Sequence, residues 1–334
     1  MEAPIGAVQL IQVNNNVNIY EVNMKKRITI LTICLLLAFL LAFPKEALAA
    51  AREGLGLWLD TLLPTLLPFL ILTGILLRTD GITRIVQPIA PFFKVLTGLS
   101  GEGAYAFVLG LLCGYPMGAK LPADLYHAGK INRQESEYLL TCCNNPSPAF
   151  LVTYVGQICL EGKVPVGFLV GILFLSDMTC MCFFRFFVFR KKSTPVFADL
   201  ESTENRPFPI PGILNTIGGA SPMTFFETMA KLGGYILMFS IISACVSHFW
   251  FLPPGGKYIF WGMIEVTTGV HGLLFSGFPF RLRVLLALCM SAFGGFCILA
   301  QTKSVLGKDL SLRPYASAKC LNTAITAVLT LLFL

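Results

Sequence analysis

Apolar runs closed off by one or two basic residues recur from Ile28 almost to Leu334, and few folds are open to a chain built this way. A helix needs about 20 apolar residues to cross roughly 30 Å of hydrocarbon at about 1.5 Å of rise per residue. The first run, 25–50, starts at Met24-Lys25-Lys26-Arg27, and others occupy 56–77, 83–98, 102–123, 136–158, 164–189, 232–252, 257–276, 283–302 and 315–334. The weakest is 83–98, where Pro88, Pro91 and Lys94 intervene, and it reads as re-entrant or interfacial. Only 13% of the 334 residues are charged and 55% are hydrophobic, whereas a soluble domain carries about 25% charged residues. Lipid is therefore the expected solvent, which excludes a soluble globule, a disordered chain and a coiled coil. The net charge of +7 comes from basic residues standing singly at run ends, not in a stripe. It records membrane topology and argues against a nucleic-acid partner. The predicted fold is an all-α polytopic membrane protein with about 8–10 membrane segments.

Residues 1–24 form a polar, Asn-rich extension, and Met24 is a second candidate start. The 25–50 segment resembles a secretory signal, with Ala47-Leu48-Ala49 as a cleavage-like site. More membrane segments follow it, so a retained first helix with a cytosolic N-terminus is the preferred reading. The segment 164–211 reads as a linker helix followed by a polar cytosolic loop from Arg190 to Pro211. The eleven Cys sit mostly inside apolar runs and show no metal-ligand or redox spacing. Neither a metal nor a cofactor is expected.

Sliding the chain against itself sets Gly129-Lys130 on Gly307-Lys308, Cys142 on Cys320 and Asn144 on Asn322. At a slightly different offset Lys94-Val95-Leu96-Thr97-Gly98 meets Glu265-Val266-Thr267-Thr268-Gly269. These short matches keep their order, so two repeats are expected, 54–160 and 212–334. Counting one crossing per segment starts the second repeat from the opposite side, making them inverted, as in many secondary transporters. The same count puts Lys25, Lys26, Arg27, Arg78, Arg84, Lys130, Arg133, Arg185, Arg281 and Arg283 in the cytosol. The alternative is a plain bundle with accidental similarity.

Breaks inside the runs are where chemistry is expected. Asn144-Asn145-Pro146 followed by Ser147-Pro148 reads as a helix stop and restart, with Ser147 as N-cap and Pro148 as first helical residue. Backbone freed at membrane depth is tolerated where protein buries it or where it lines a wet cavity, and a half-helix N-terminus attracts anions. A proline kink satisfied by neighbouring helices is the plainer alternative. A second break is Gly114-Tyr115-Pro116-Met117-Gly118-Ala119-Lys120, where Gly110, Gly114 and Gly118 recur every four residues and permit close backbone approach. Lys120 either binds an anion or snorkels to the interface. The second half carries Phe293-Gly294-Gly295-Phe296, Gln301, and then Lys319, Asn322 and Thr323.

The candidate substrate-binding set is therefore Pro116, Gly118, Lys120, Asn144, Asn145, Ser147, Gln301, Lys319, Asn322 and Thr323. Among the intramembrane acids Asp60, Asp177, Glu227 and Glu265, Glu227 has Lys231 four residues on, an ordinary helical ion pair. Glu265, ahead of Thr267-Thr268, is the better proton or cation site, and these three form the candidate coupling set. No zincin, nucleophile-elbow or phosphate-loop motif is present and the three His are far apart, so an enzyme is not expected.

Residues 56–69, the Gly114–Lys120 segment, Asn144-Asn145-Pro146, and Gly294-Gly295-Phe296 with Gln301 together resemble the YlbJ/SpoVV family of sporulation integral membrane proteins, which contains the Gate, or nucleoside-recognition, domain. The resemblance covers about residues 25–334. It implies an integral protein of the bacterial cell membrane, in the outer forespore membrane of a sporulating cell, that moves dipicolinic acid. It also implies likeness to concentrative nucleoside transporters, whose substrate lies between broken helices of inverted repeats. Dipicolinate is a small aromatic dianion, to which half-helix N-termini with Lys120 and Lys319 are chemically suited. A nucleoside or other metabolite carrier, and a non-transporting partner in spore-envelope assembly, remain the alternatives. The expected partners are the bilayer and a small-molecule anion, with a homo-oligomer or other sporulation membrane proteins also compatible.

Overall fold

A computed structural model describes residues 26–27, 29–64, 67–68, 97–189, 222–251 and 253–334, without side-chain detail at 222–228 and 254. The described residues form helices and no strand. Helix α1, 29–42, bends by 105° at Phe43 into α2, Pro44–Gly56, which runs on through a π-helical turn, Leu57–Leu62. Then come α3 (Gly101–Cys113), α4 (Met117–His127), α5 (Arg133–Cys143), α6 (Phe150–Cys159, π-helical) and α7 (Val166–Phe183, continuing to Val188). After residues outside the described set, α8 (Pro222–His248), α9 (Pro254–Ile264), α10 (Val266–Gly272), α11 (Phe280–Phe293), α12 (Gly295–Leu306) and α13 (Arg313–Phe333) complete the chain.

Four helical stretches are long and apolar enough to cross a membrane, namely Val166–Val188, Met229–His248, Phe280–Leu306 and Arg313–Phe333, and the bent α1–α2 pair is a fifth if taken as one span. The count is below the predicted one because several predicted spans are hairpins of short arms or lie outside the described residues, as 69–96 does, and with it nearly all of the 83–98 segment read as re-entrant. Apolar residues 102–123 sum to a span by hydropathy, but at Gly114 the backbone takes φ +68° and α3 and α4 pack side by side. Residues 257–276 behave likewise. In α9–α10 a Cβ on Gly269 would meet Gly262 Cα at 2.1 Å, so only glycine permits the approach of the two arms. The orientation count, which took both segments as single crossings, therefore does not carry over.

Breaks 144–147 and Gly294 differ from these hairpins. There α11 runs into α12 as one stretch, Phe280–Leu306, and α5 and α6 do not pack side by side as the hairpin arms do. The order hairpin, broken helix, unbroken helix occurs twice: α3–α4, α5–α6, α7, and then α9–α10, α11–α12, α13. This order sets Gly114 opposite Glu265 and Asn144 opposite Gly294. The sequence offset instead set Asn144 against Asn322, and Asn322 lies inside unbroken α13.

Between helices in lipid, association rests on close packing and polar contacts, since lipid tails solvate apolar faces as well as leucine does. The expected glycine stripe supplies the packing. A Cβ on Gly110 would lie 2.7 Å from Cys143 Cβ, one on Gly114 2.5 Å from Ser147 N, and one on Gly118 2.1 Å from the Cys143 carbonyl oxygen. The tip of the first hairpin is thereby held on the α5–α6 break, and Tyr115 N donates to Asn145 O at 3.0 Å. The second hairpin closes on its own break, where a Cβ on Gly295 would lie 3.0 Å from Ile264 O.

Candidate functional site

Both hairpin tips and both breaks meet in the interior. Ser147 caps the restarted helix as expected, its Oγ accepting from Phe150 N at 3.2 Å. Between the tips lies a small cavity of about 30 Å³, whose polar wall is Tyr115, Ser147, Glu265 and Thr267 and whose apolar wall includes Phe150, Met229 and Ile298. A water needs about 10–15 Å³ of such space, so this cavity takes a water or two and no organic molecule.

Beside it runs a buried polar network joining five helices. Lys319, 2% exposed, donates to Asn145 Oδ1 at the break and lies 5.4 Å from the centre of the Tyr315 ring. Asp177 of α7 interacts electrostatically with Lys319 and accepts from Asn322 Nδ2 at 2.6 Å. Ser176 donates to the Asn322 carbonyl at 2.9 Å, and Thr326 Oγ1 lies 2.9 Å from Ser176 Oγ. Asn144 Nδ2 donates to Thr302 Oγ1 at 2.8 Å and the Tyr315 hydroxyl to Asn144 O at 3.4 Å, tying the first break to α12 and α13. Tyr154 of α6 donates to Thr267 O at 2.8 Å, tying it to the second hairpin. A buried ammonium is tolerated only with such partners.

Several buried polar atoms here have no hydrogen-bond partner: Asn144 Oδ1, Gln301 Oε1, the Tyr115 hydroxyl and Thr268 Oγ1. Buried polar groups are nearly always paired, so each is a place where a ligand or a water can bond.

The predicted residues divide as follows. Asn144, Asn145, Ser147, Lys319 and Asn322 come together, with Gln301 one residue from Thr302 and its Nε2 on Cys297 Sγ at 3.2 Å. Pro116 stands at the first hairpin tip, after a cis peptide bond, and Gly118 packs on Cys143. Thr323 bonds back to the Lys319 carbonyl at 2.7 Å, an ordinary helical hydroxyl contact. Lys120 is paired with Asp124 at 2.5 Å and has a 36% exposed side chain, a partner the sequence reading passed over. Glu265 is 1% exposed and caps α10: its carboxylate accepts from Thr267 N at 3.0 Å, Thr268 N at 2.6 Å and the Thr267 hydroxyl. Asp177, Ser176, Thr302, Tyr154, Tyr315 and Thr326 were not in the candidate set. Asp177 alone had a signal, as an acid within an apolar run.

Helices of this length and hydropathy, with broken and re-entrant segments around a buried polar centre, define a polytopic integral membrane protein. The Gate family, described as nucleoside recognition, matches residues 59–161, which include the first hairpin and the first broken helix. The chain is 26% identical, over 341 residues covering 89% of it and 80% of the relative, to the sporulation integral membrane protein YlbJ of Bacillus subtilis (strain 168). The chain is thus similar to YlbJ over most of its length and to the Gate family over residues 59–161, in agreement with the resemblance carried by its motifs. No solved structure matches.

Proposed function

We propose that this protein carries a small organic anion across the membrane, that the anion is dipicolinate, and that it does so in the outer forespore membrane of a sporulating cell. The observation that carries this reading is Lys319, a buried ammonium held at a helix break by an amide and an aromatic face, with Asp177 as its one nearby acid among the described residues. A substrate carboxylate can replace that weak set of partners with a charge-assisted hydrogen bond. Ser147 and Pro148 open a half-helix on the same break and add the positive end of its dipole. The similarity to a sporulation membrane protein supports the setting.

The small volume of the central cavity, about 30 Å³, supports a gated mechanism. Ligand pockets span roughly 300–1,000 Å³, so substrate enters only when a hairpin tip parts from its break. The two sets of hairpin, broken helix and unbroken helix, taken as inverted halves 54–160 and 212–334, then alternate the side from which the centre is reached.

A second reading, a nucleoside carrier, is favoured by the unpaired Asn144 Oδ1 and Gln301 Oε1, which suit hydrogen-bond donors on an uncharged ring, and by the Gate description. Proteoliposomes separate the two. Dipicolinate uptake should exceed that of empty vesicles, fall about tenfold or more in Lys319→Met, a loss of at least about 1.4 kcal/mol, and stay near wild type in Lys120→Ala. Dipicolinate uptake equal to empty vesicles, with uridine taken up instead, transfers the assignment to nucleosides.

A further inference from the structure

A second cavity, of about 590 Å³ and open at one side, lies between α2, α8 and the α9–α10 hairpin, away from the Lys319 network. Along α2 its wall is acidic, with Glu46, Glu53 and Asp60 spaced seven apart and so on one helical face. Along α8 it is a hydroxyl stripe, Ser240, Ser243 and Ser247, at helical spacing. Thr268 reaches it from the hairpin.

Three features show a built site. Ser240 and Ser243 are 6% and 3% exposed, and their Oγ atoms, like that of Thr268, are buried without any hydrogen-bond partner. The register of α2 on α8 is antiparallel: Glu46 meets His248 at 2.6 Å and Gly54 abuts Ser240, which brings Glu53 to the level of Ser240 and Ser243. Glu46 is thus already paired, and Lys257, the one lysine on the cavity, sits 4.7 Å over the Trp261 ring. The Glu53 and Asp60 carboxylates, both on exposed residues, have neither an ion pair nor a hydrogen bond among the described residues.

The spacing selects the ligand. Seven residues of helix separate successive acids by about 10 Å, so one carboxylate at a time faces the hydroxyls, a single negative charge that balances a monovalent ion and falls short of the several carboxylates that tight calcium sites combine. One carboxylate facing neutral hydroxyls remains. We propose that this groove binds a monovalent inorganic cation of sodium or potassium size between the Glu53 carboxylate and the hydroxyls of Ser240, Ser243 and Thr268. Asp60, seven residues along, draws the ion inward. Thr268 N is also held by Glu265, which lines the inner cavity, so the bound ion sits one residue from the wall of the closed centre. The site does not depend on what the chain carries.

Thermal unfolding of the purified full chain in detergent, in NaCl, KCl and choline chloride at equal ionic strength, tests this. Tm should rise saturably in sodium or potassium and not in choline. Glu53→Gln should match wild type in choline and lose the rise, and Ser243→Ala should weaken half-saturation about tenfold, as for one lost oxygen contact to a charge. Glu161→Gln, whose acid pairs with Lys163 at 2.6 Å, should respond as wild type. Equal Tm in all three salts, an unaltered response in both Glu53→Gln and Ser243→Ala, or a response to calcium alone overturns the assignment. A cation response that persists in protein failing to take up dipicolinate leaves this site standing while removing the proposed substrate.

Discussion

The two hairpins reach the centre in the same way and are fastened there by different means. The first, α3–α4, is held by backbone against backbone: Gly110, Gly114 and Gly118 lie on Cys143 and Ser147 so closely that no side chain fits. The second, α9–α10, also lies backbone on backbone, with Gly295 against the Ile264 carbonyl, but its tip is shaped by a side chain, the Glu265 carboxylate accepting three hydrogen bonds from Thr267 and Thr268. Close packing is either intact or lost, whereas a carboxylate cap exchanges partners in small steps. The first hairpin is therefore expected to stay packed when the second, losing its Glu265 cap, loosens at the tip.

This contrast breaks most severely at Gly118. Gly118→Ala drives a Cβ into the Cys143 carbonyl at 2.1 Å and should cost about 3 kcal/mol or more. Gly167→Ala, with no atom within 4 Å, should be neutral or slightly stabilising. Thermal melts of the two variants side by side check this, and equal melting would remove the argument from close packing.

Next comes the network both hairpins enclose. Lys319→Met leaves Asp177 buried without its countercharge, which should cost about 3–5 kcal/mol, and Lys319→Met with Asp177→Asn should recover much of that. A double variant as unstable as the single one would show that the two charges do not share a network. Glu265→Ala should cost about 1–2 kcal/mol, the range for a lost N-cap, and should raise amide exchange in α10 while leaving α4 protected. Exchange rising equally in both hairpins would erase the distinction between them. Lys120→Ala should cost only about 0.3–0.5 kcal/mol, as for a helical pair near the surface; a large loss would return Lys120 to the site.

Much of this was legible in the sequence where local chemistry dictates it. Proline and asparagine at 144–148 cannot continue a helix, and three glycines four apart mark a close approach; both readings hold in the structure. The hairpins were not legible as such, because hydropathy adds the two arms of 102–123 into one apparent span and only the backbone at Gly114 turns the chain back. Asp177 was visible as a misplaced acid, but its partner Asn322 lies 145 residues away, beyond any local rule. Asp124 could have been paired with Lys120 by the same spacing that paired Glu227 with Lys231. Glu53 fell between the apolar runs 25–50 and 56–77 and carried no signal of its own, and its place opposite Ser240 and Ser243 exists only once α2 and α8 pack.

Titrating dipicolinate into the purified protein, wild type and Lys319→Met, measures recognition at the break without the steps of transport. Saturable binding by wild type, weakened about a hundredfold or more in the variant by loss of a charge-assisted contact, is the expected result. Equal affinity in the two proteins, or binding of uridine with none of dipicolinate, would contradict an anion carrier centred on Lys319.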